Sequence, residues 1–507
     1  MDALLQNIPL GILAMVTFFL VIGKIFIDQR RSPNSPPAVP GWPLIGNLLG
    51  LNEKKPYLTF VKWAEDYGPI YSIRLGSSSM VVLNSTELAK EALVSKFSSI
   101  STRKLSNALT TLTCNKSIVA MSDYGDYYKM VKRYVLSGIL GTNAQKRNRH
   151  HRDTMIKNVV SHLYSKIKDE DFYLVELREP FQSELFQLAF KQSLGKNVES
   201  VYVEELGVTL TKEEMFQILV TDPMMGAIEV DWRDFFPYLR WVPNKSMERK
   251  IQQMEMRKRA LVKNLIEEQR LHITRGEEIS CYLDCLVSDG NTLTDEQLIA
   301  LVWESIIETS DTTLITTEWA MYELAKNPSC QDRLYQDIRK VCGSEHITEE
   351  DLPHLQYLSA VFHETLRFHS PVPIIPPRHV HEATQLGGYD VPAGTDIIIN
   401  LYACNMDKND WEEPGDWKPD RFLSGEDEHA EMNKTMSFGA GKRKCAGSSQ
   451  AMLISCMTVG RLVQEFHWKL KEGEEENTDT VQLTNHKLYP LQAYIRSRPE
   501  EVRFGRF

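Results

Sequence analysis

The first pattern along the chain is an apolar run near its start. Ile8 to Gly23 carries no charge, and with Lys24 allowed at the edge the run reaches Ile27 and 20 residues. At about 1.5 Å per residue, a helix of that length matches a bilayer core of roughly 30 Å. Lys24 would snorkel to the interface. Asp2 precedes the run, with no basic residue, while Lys24, Arg30 and Arg31 follow its apolar part. That order argues against a cleaved signal peptide and leaves the bulk of the chain on the cytosolic side. Residues 1–31 are therefore expected to be a membrane anchor. Residues 32–43 contain Pro33, Pro36, Pro37, Pro40 and Pro43. Proline fixes φ and removes a donor, so this stretch reads as a stiff extended strap.

Helical spacing dominates the rest. Thr294 to Lys326 predicts one long helix, with Thr294 and Gln297 as a capping box and Asn327-Pro328 as its end. Leu358–Phe368 and Ser448–Phe466 predict two more. Strand signals are short, at Ile70–Ile73, Met80–Leu83 and Asp396–Leu401. There is no internal repeat and no second linker like the strap. The acidic stretch Gly425-Glu426-Asp427-Glu428 reads as a surface loop. The expectation is one large domain over 44–507, mainly α with a minor β part.

Composition changes this picture little. Lys and Arg number 58 against 68 Asp and Glu, a net charge of −10, which argues against nucleic acid as the main partner. Eight cysteines in 507 residues are too few for a disulfide scaffold, and none forms a C-x-x-C pair. Cys281 and Cys285 lie four apart, without the further ligands a zinc site needs.

One cysteine stands apart. It lies in Phe438-Gly439-Ala440-Gly441-Lys442-Arg443-Lys444-Cys445-Ala446-Gly447, directly before a helical pattern. A thiolate is an electron-rich ligand for haem iron and promotes O–O cleavage. Glycines let backbone pass close to a flat cofactor, and N–H groups at a following helix start stabilise a negative sulfur. Arg443 suits a haem propionate. These residues assign Cys445 as the iron ligand, with Phe438 and Gly447 shaping its loop.

The segment resembles the cysteine loop of the cytochrome P-450 superfamily of haem-thiolate monooxygenases. The resemblance implies haem b, dioxygen and NADPH electrons from a separate NADPH–cytochrome P-450 reductase. Further marks match along the chain. Glu364 and Arg367, three apart in Phe362-His363-Glu364-Thr365-Leu366-Arg367, match E-x-x-R, and Arg421 in Lys418-Pro419-Asp420-Arg421-Phe422 matches its partner segment. Buried together, three charged groups must satisfy one another, which implies a structural role. Asp311-Thr312-Thr313, inside the long helix, matches the oxygen-activation motif. It implies Asp311 as proton relay and Thr312 as the hydroxyl that holds a water or hydroperoxide. Two departures stand out. Glu308 and Thr309 occupy positions where the family often has small residues, and glycine there eases a local helix opening. Tyr128 and Lys132 occupy the positions of a Trp and an Arg that touch a propionate, and Arg378 matches another propionate-binding Arg.

A finer resemblance is to the plant ent-kaurene oxidases. It is carried by Glu318-Trp319-Ala320-Met321-Tyr322-Glu323-Leu324-Ala325-Lys326-Asn327-Pro328, by Gly460-Arg461-Leu462-Val463-Gln464-Glu465-Phe466-His467-Trp468-Lys469-Leu470 and by Lys487-Leu488-Tyr489-Pro490-Leu491. It implies three oxidations of one methyl of ent-kaurene to ent-kaurenoic acid, on the route to gibberellins. The location implied is the endoplasmic reticulum or the outer plastid envelope. Val372, Ile374 and Ile375 would line an apolar pocket with Thr309. Apolar walls discriminate weakly between similar hydrocarbons, so a paralogue acting on a related diterpene olefin is an alternative. The aromatic stretch Phe235-Phe236-Pro237-Tyr238-Leu239-Arg240-Trp241 reads equally as a membrane-dipping segment or as core. Lys132, Arg133, Lys442, Arg443 and Lys444 form a basic patch suited to an acidic electron donor. An isomerase or dehydratase that uses no O2 would need Cys445 but not Asp311-Thr312, and a haem sensor would need neither that pair nor the patch.

Overall fold

The predicted helix at 294–326 forms, but as two segments. Thr294 caps the first, its hydroxyl accepting from the Gln297 N–H while the Gln297 side chain accepts from the Thr294 N–H. The helix runs Asp295–Ser310, breaks at Asp311 (φ −100°, ψ −70°) and resumes over Thr312–Lys326. No glycine is needed for the break. Ser310 Oγ donates to the Ile306 carbonyl, and Thr316 and Thr317 donate to the carbonyls of Thr312 and Thr313. Such side chain to backbone bonds compete with the helical ladder and bend it.

This computed structural model describes residues 12, 15, 18, 32–51, 55–167, 172–273, 281–288, 292–423, 435–480 and 484–498. The expected anchor at 1–31 lies outside these except at three positions, and so does the loop 425–428. Among the described residues no helix is long and apolar enough to cross a membrane.

The chain divides into two compact units. The first comprises Met1–Lys104, Val230–Pro243 and Ile374–Cys404. Its centre is a four-stranded sheet. Ile70–Leu75 and Ser78–Leu83 form an antiparallel hairpin, Asp396–Asn400 adds in parallel, and Ile374–His379 closes the edge antiparallel. The register slips between Ile375 and Arg378, where Pro376 and Pro377 have no N–H to give the ladder. The proline strap is bonded along this sheet: Val39 N–H donates to Ser72 O (3.0 Å) and Ser72 N–H to Pro37 O (2.7 Å). Phe60, Tyr71, Ile73, Val82 and Ile398 form its core, with Phe235 packed against them.

The second unit comprises Leu105–Glu229, Asn244–Pro373 and Asn405–Phe507. It is helical, and its helices include α1 (Asp126–Val135), α2 (Arg178–Leu194), α3 (Lys245–Ile273), α4 (Asp295–Ser310), α5 (Thr312–Lys326), α6 (Gln356–Phe368) and α7 (Ser448–Glu465). A three-stranded sheet joins Phe466–Leu470, Gln492–Ser497 and Tyr173–Glu176. Nearly every side chain of α5 from Thr313 to Ala325 is buried, as befits a helix packed on all sides. Trp319, Leu366, Leu462 and Trp468 belong to one core cluster. This is the mainly α, minor β composition expected from the pattern.

Candidate active site

Cys445 is held by turns that its glycines permit. Gly439 and Gly441 both sit at φ +69°, where a side chain would strain the backbone. Cys445 N–H donates to Phe438 O (2.9 Å) and Gly439 N–H to Met436 O (2.7 Å). Gly447 then caps α7. The loop is fixed to α6: Ser437 Oγ donates to Leu366 O (3.1 Å), and the Phe438 ring stacks on Phe362. All eight cysteines are free thiols, and only Cys445 is exposed. The residue touches solvent, yet its thiol lies deep among protein atoms. That depth pushes the thiol up to about 11, and Glu308 adds to the rise, while the Gly447 N–H, Lys132 and Lys444 pull it back. A bare thiol here is protonated at neutral pH, whereas a coordinating thiol is deprotonated by its metal.

Behind α6 the three expected charges meet. Glu364 and Arg367 are fully buried and form a two-pronged pair, Nε to Oε2 and Nη2 to Oε1, both 2.8 Å. Arg421 Nε (3.1 Å) and the Lys418 N–H (2.7 Å) also reach Glu364 Oε1. Arg367 spends its other donors on the carbonyls of Asn405, Pro414 and Asp416. One carboxylate faces two guanidinium groups, and backbone carbonyls take the remaining donors of both, the kind of satisfaction under which buried ions are tolerated.

On the other side of Cys445, α1 meets the loop. The Tyr128 hydroxyl donates to Lys442 O (3.0 Å), and Lys132 Nζ reaches both that carbonyl and the Tyr128 oxygen (each 3.2 Å). Arg443 lies over the Tyr128 ring at 4.7 Å. One Arg443 donor, Nη2, bonds Ser122 O, while its buried Nε–H and Nη1–H have no partner among the described residues. A half-buried cation with two unmet donors fits an anionic group beside Cys445. The outer face of this corner is a shallow basin of about 840 Å³ lined by Lys129, Lys132, Arg133 and Lys442.

At the helix break, Asp311 is buried, and its Oδ1 pairs with His486 Nε2 at 2.7 Å. The other oxygen, Oδ2, is buried without a partner among the described residues. Thr309 is buried in the same turn, and the Thr312 carbonyl accepts the Thr316 hydroxyl. One turn earlier, Glu304 accepts the N–H groups of Val119 and Ala120, each at 2.8 Å. Burial, then Glu308, raise its carboxyl well above the usual range. Glu304 and His486 were not singled out from the sequence. His486 lies 175 residues from Asp311, and nothing local marks it. Val372 belongs to this helical unit, whereas Ile374, Ile375 and Arg378 belong to the sheet of the other.

The chain belongs to the cytochrome P450 family, whose family model matches residues 36–492. It is a cytochrome P450 monooxygenase, a class that holds haem iron through a cysteine thiolate. It is 62% identical over 472 residues to ent-kaurene oxidase 2 of Oryza sativa subsp. japonica, covering 93% of each chain. It is 55% identical over 467 residues to ent-sandaracopimaradiene 3-hydroxylase of the same species, covering 92% of this chain and 91% of that one. A solved zebra fish cytochrome P450 with abiraterone shares the fold, with a TM-score of 0.71 at 20% identity, covering 88% of this chain and 100% of that one.

Proposed function

We propose that this protein oxidises one methyl of ent-kaurene in three steps to ent-kaurenoic acid. The observation that carries the reading is the 62% identity to ent-kaurene oxidase 2 across 93% of both chains. In this reading residues 44–507 are the catalytic domain, and 1–31 anchor it to the endoplasmic reticulum or outer plastid envelope with the domain facing the cytosol. A membrane anchor places the pocket beside the phase in which a diterpene hydrocarbon dissolves.

Haem b, ligated by Cys445, supplies oxygen activation when bound. The protein's own residues do the rest. Gly447 N–H and the start of α7 stabilise the sulfur. The two unmet Arg443 donors support a role in binding a haem propionate. The Tyr128 hydroxyl and Lys132 hold the loop through Lys442 O and leave Lys132 further N–H capacity toward the same group. Arg378 is a further candidate propionate ligand. Asp311 holds the proton to be delivered and Thr312 the receiving water. Thr309 and Val372, both in the helical unit, are the proposed substrate-facing residues of that unit.

The test is conversion of ent-kaurene in membranes that contain the protein and NADPH–cytochrome P-450 reductase. Ent-kaurenoic acid should form only with NADPH. Product without NADPH would sink the monooxygenase reading in favour of isomerase or dehydratase chemistry. The 55% identity to a sandaracopimaradiene hydroxylase favours a second reading, a hydroxylase of a related diterpene olefin. A single hydroxylated product from another olefin, with ent-kaurene untouched, would decide for it.

The basin lined by Lys129, Lys132, Arg133 and Lys442 supports docking of an acidic reductase close to Cys445. Lys442→Glu is expected to slow reduction at low salt by about tenfold and to flatten its salt dependence. Stopped-flow reduction at several ionic strengths reads this out, and unchanged rates would remove the docking role.

A further inference from the structure

His486 is a half-buried histidine whose side chain is 20% exposed, bonded to a buried acid at a helix break. Its neighbours are tied down on both sides. The Asn485 N–H donates to Pro371 O (2.9 Å), its Nδ2 to Ser370 O (2.7 Å), and its carbonyl accepts Trp319 Nε1 (2.7 Å). Lys487 is fully buried over the Trp319 and Tyr322 rings, and its Nζ pairs with Glu474 at 3.3 Å. The Lys487 carbonyl accepts Arg178 Nη2 at 2.7 Å, and Arg178 pairs with Glu318. A segment fixed this firmly to α5 and to the end of α6 holds the imidazole in one place. The ring reaches solvent on one side and Asp311 Oδ1 on the other. Among the described residues the buried Asp311 Oδ2 has no partner, so one carboxyl oxygen is bonded to His486 and the other is left open.

We infer that His486 is a positioning residue that orients Asp311 and resupplies it with protons from solvent. The inference rests on the proposed role of Asp311 as proton donor in the monooxygenase reaction. For each proton the carboxyl group passes inward, one moves from His486 Nε2 to Asp311 and one enters the imidazole from solvent. No electron moves and no other reactant is needed. The break between α4 and α5 leaves the Asp311 side chain at a helix end rather than on a continuous face.

His486→Gln keeps a donor for Asp311 but cannot carry a proton. Holoprotein of this variant should turn over at least about tenfold more slowly. Its solvent isotope effect (H2O against D2O) should rise, because proton delivery becomes limiting, and its substrate affinity should stay unchanged. A merely structural role would lower the yield of holoprotein and leave the isotope effect per haem where it was. His486→Arg, also unable to release a proton at neutral pH, should repeat the result and serves if the first variant does not fold. A second readout needs no turnover. In 15N-histidine-labelled, reduced and CO-bound holoprotein, Asp311→Asn should shift the His486 Nε2 resonance. An unshifted resonance, or a wild-type rate and isotope effect in the His486 variants, would overturn the inference. Loss of ent-kaurene turnover alone would not decide it, because the isotope effect is measured on whichever olefin the wild-type protein converts.

Discussion

Cys445→Ala is expected to abolish oxidation of every substrate. Alanine provides no ligand for iron, and no other cysteine is placed to substitute: the remaining seven are buried or half-buried and none lies in the glycine loop. The loop itself should persist, because its shape comes from Gly439, Gly441 and the Cys445 N–H to Phe438 O bond, none of which needs the sulfur. The variant should therefore fold and lose the CO-bound haem-thiolate spectrum together with product formation. Cys456→Ala, in α7, is the control and should keep both. A Cys445→Ala protein that still shows the thiolate spectrum would overturn the assignment.

Arg367→Ala is expected to be nearly as damaging, for a different reason. It leaves the Glu364 carboxylate buried with only Arg421 and one backbone N–H, and it strands three carbonyls that Arg367 satisfies. Removing one partner of a buried ion pair costs about 3–5 kcal/mol. A domain has about 5–15 kcal/mol in total. The variant should accumulate poorly, unfold at markedly lower denaturant and load little haem. Arg367→Lys should recover only part of the loss, because a lysine cannot present the two-pronged fork and the three further donors. Denaturant midpoints and haem content per protein measure both effects. A midpoint within experimental scatter of the wild type would show that the network carries no stability.

These two predictions differ in how far the sequence alone supports them. The spacing around Cys445 is contiguous, so glycine turns, cysteine and helix start are all legible in ten residues. The Glu364–Arg367 spacing is legible too, but its partners are not. Lys418 N–H, Asn405 O, Pro414 O and Asp416 O come from a loop some 40 to 50 residues further on, and backbone groups leave no mark in composition. The long helix at 294–326 was legible in its cap and its end, because both depend on local residue types. Its break was not, because helical periodicity continues through Asp311 while the hydroxyl bonds that bend it depend on rotamers.

The proline strap shows the same limit. Its stiffness follows from residue type, but its pairing with Ser72 depends on an edge strand elsewhere in the chain. The two unmet donors of Arg443 are likewise a product of folding, which buries Nε and Nη1 and brings Ser122 O only to Nη2.

The chain's local order was thus sufficient for the class of protein, the iron-binding cysteine and the sites of its main helices, because turns, caps and short-range spacing act between neighbours. Tertiary structure alone decided which charges are buried together, where the Asp311 carboxylate finds His486, and how Glu304 holds the loop at Val119 and Ala120. Those pairings join residues up to 185 positions apart, and their energies arise only when folding removes them from water.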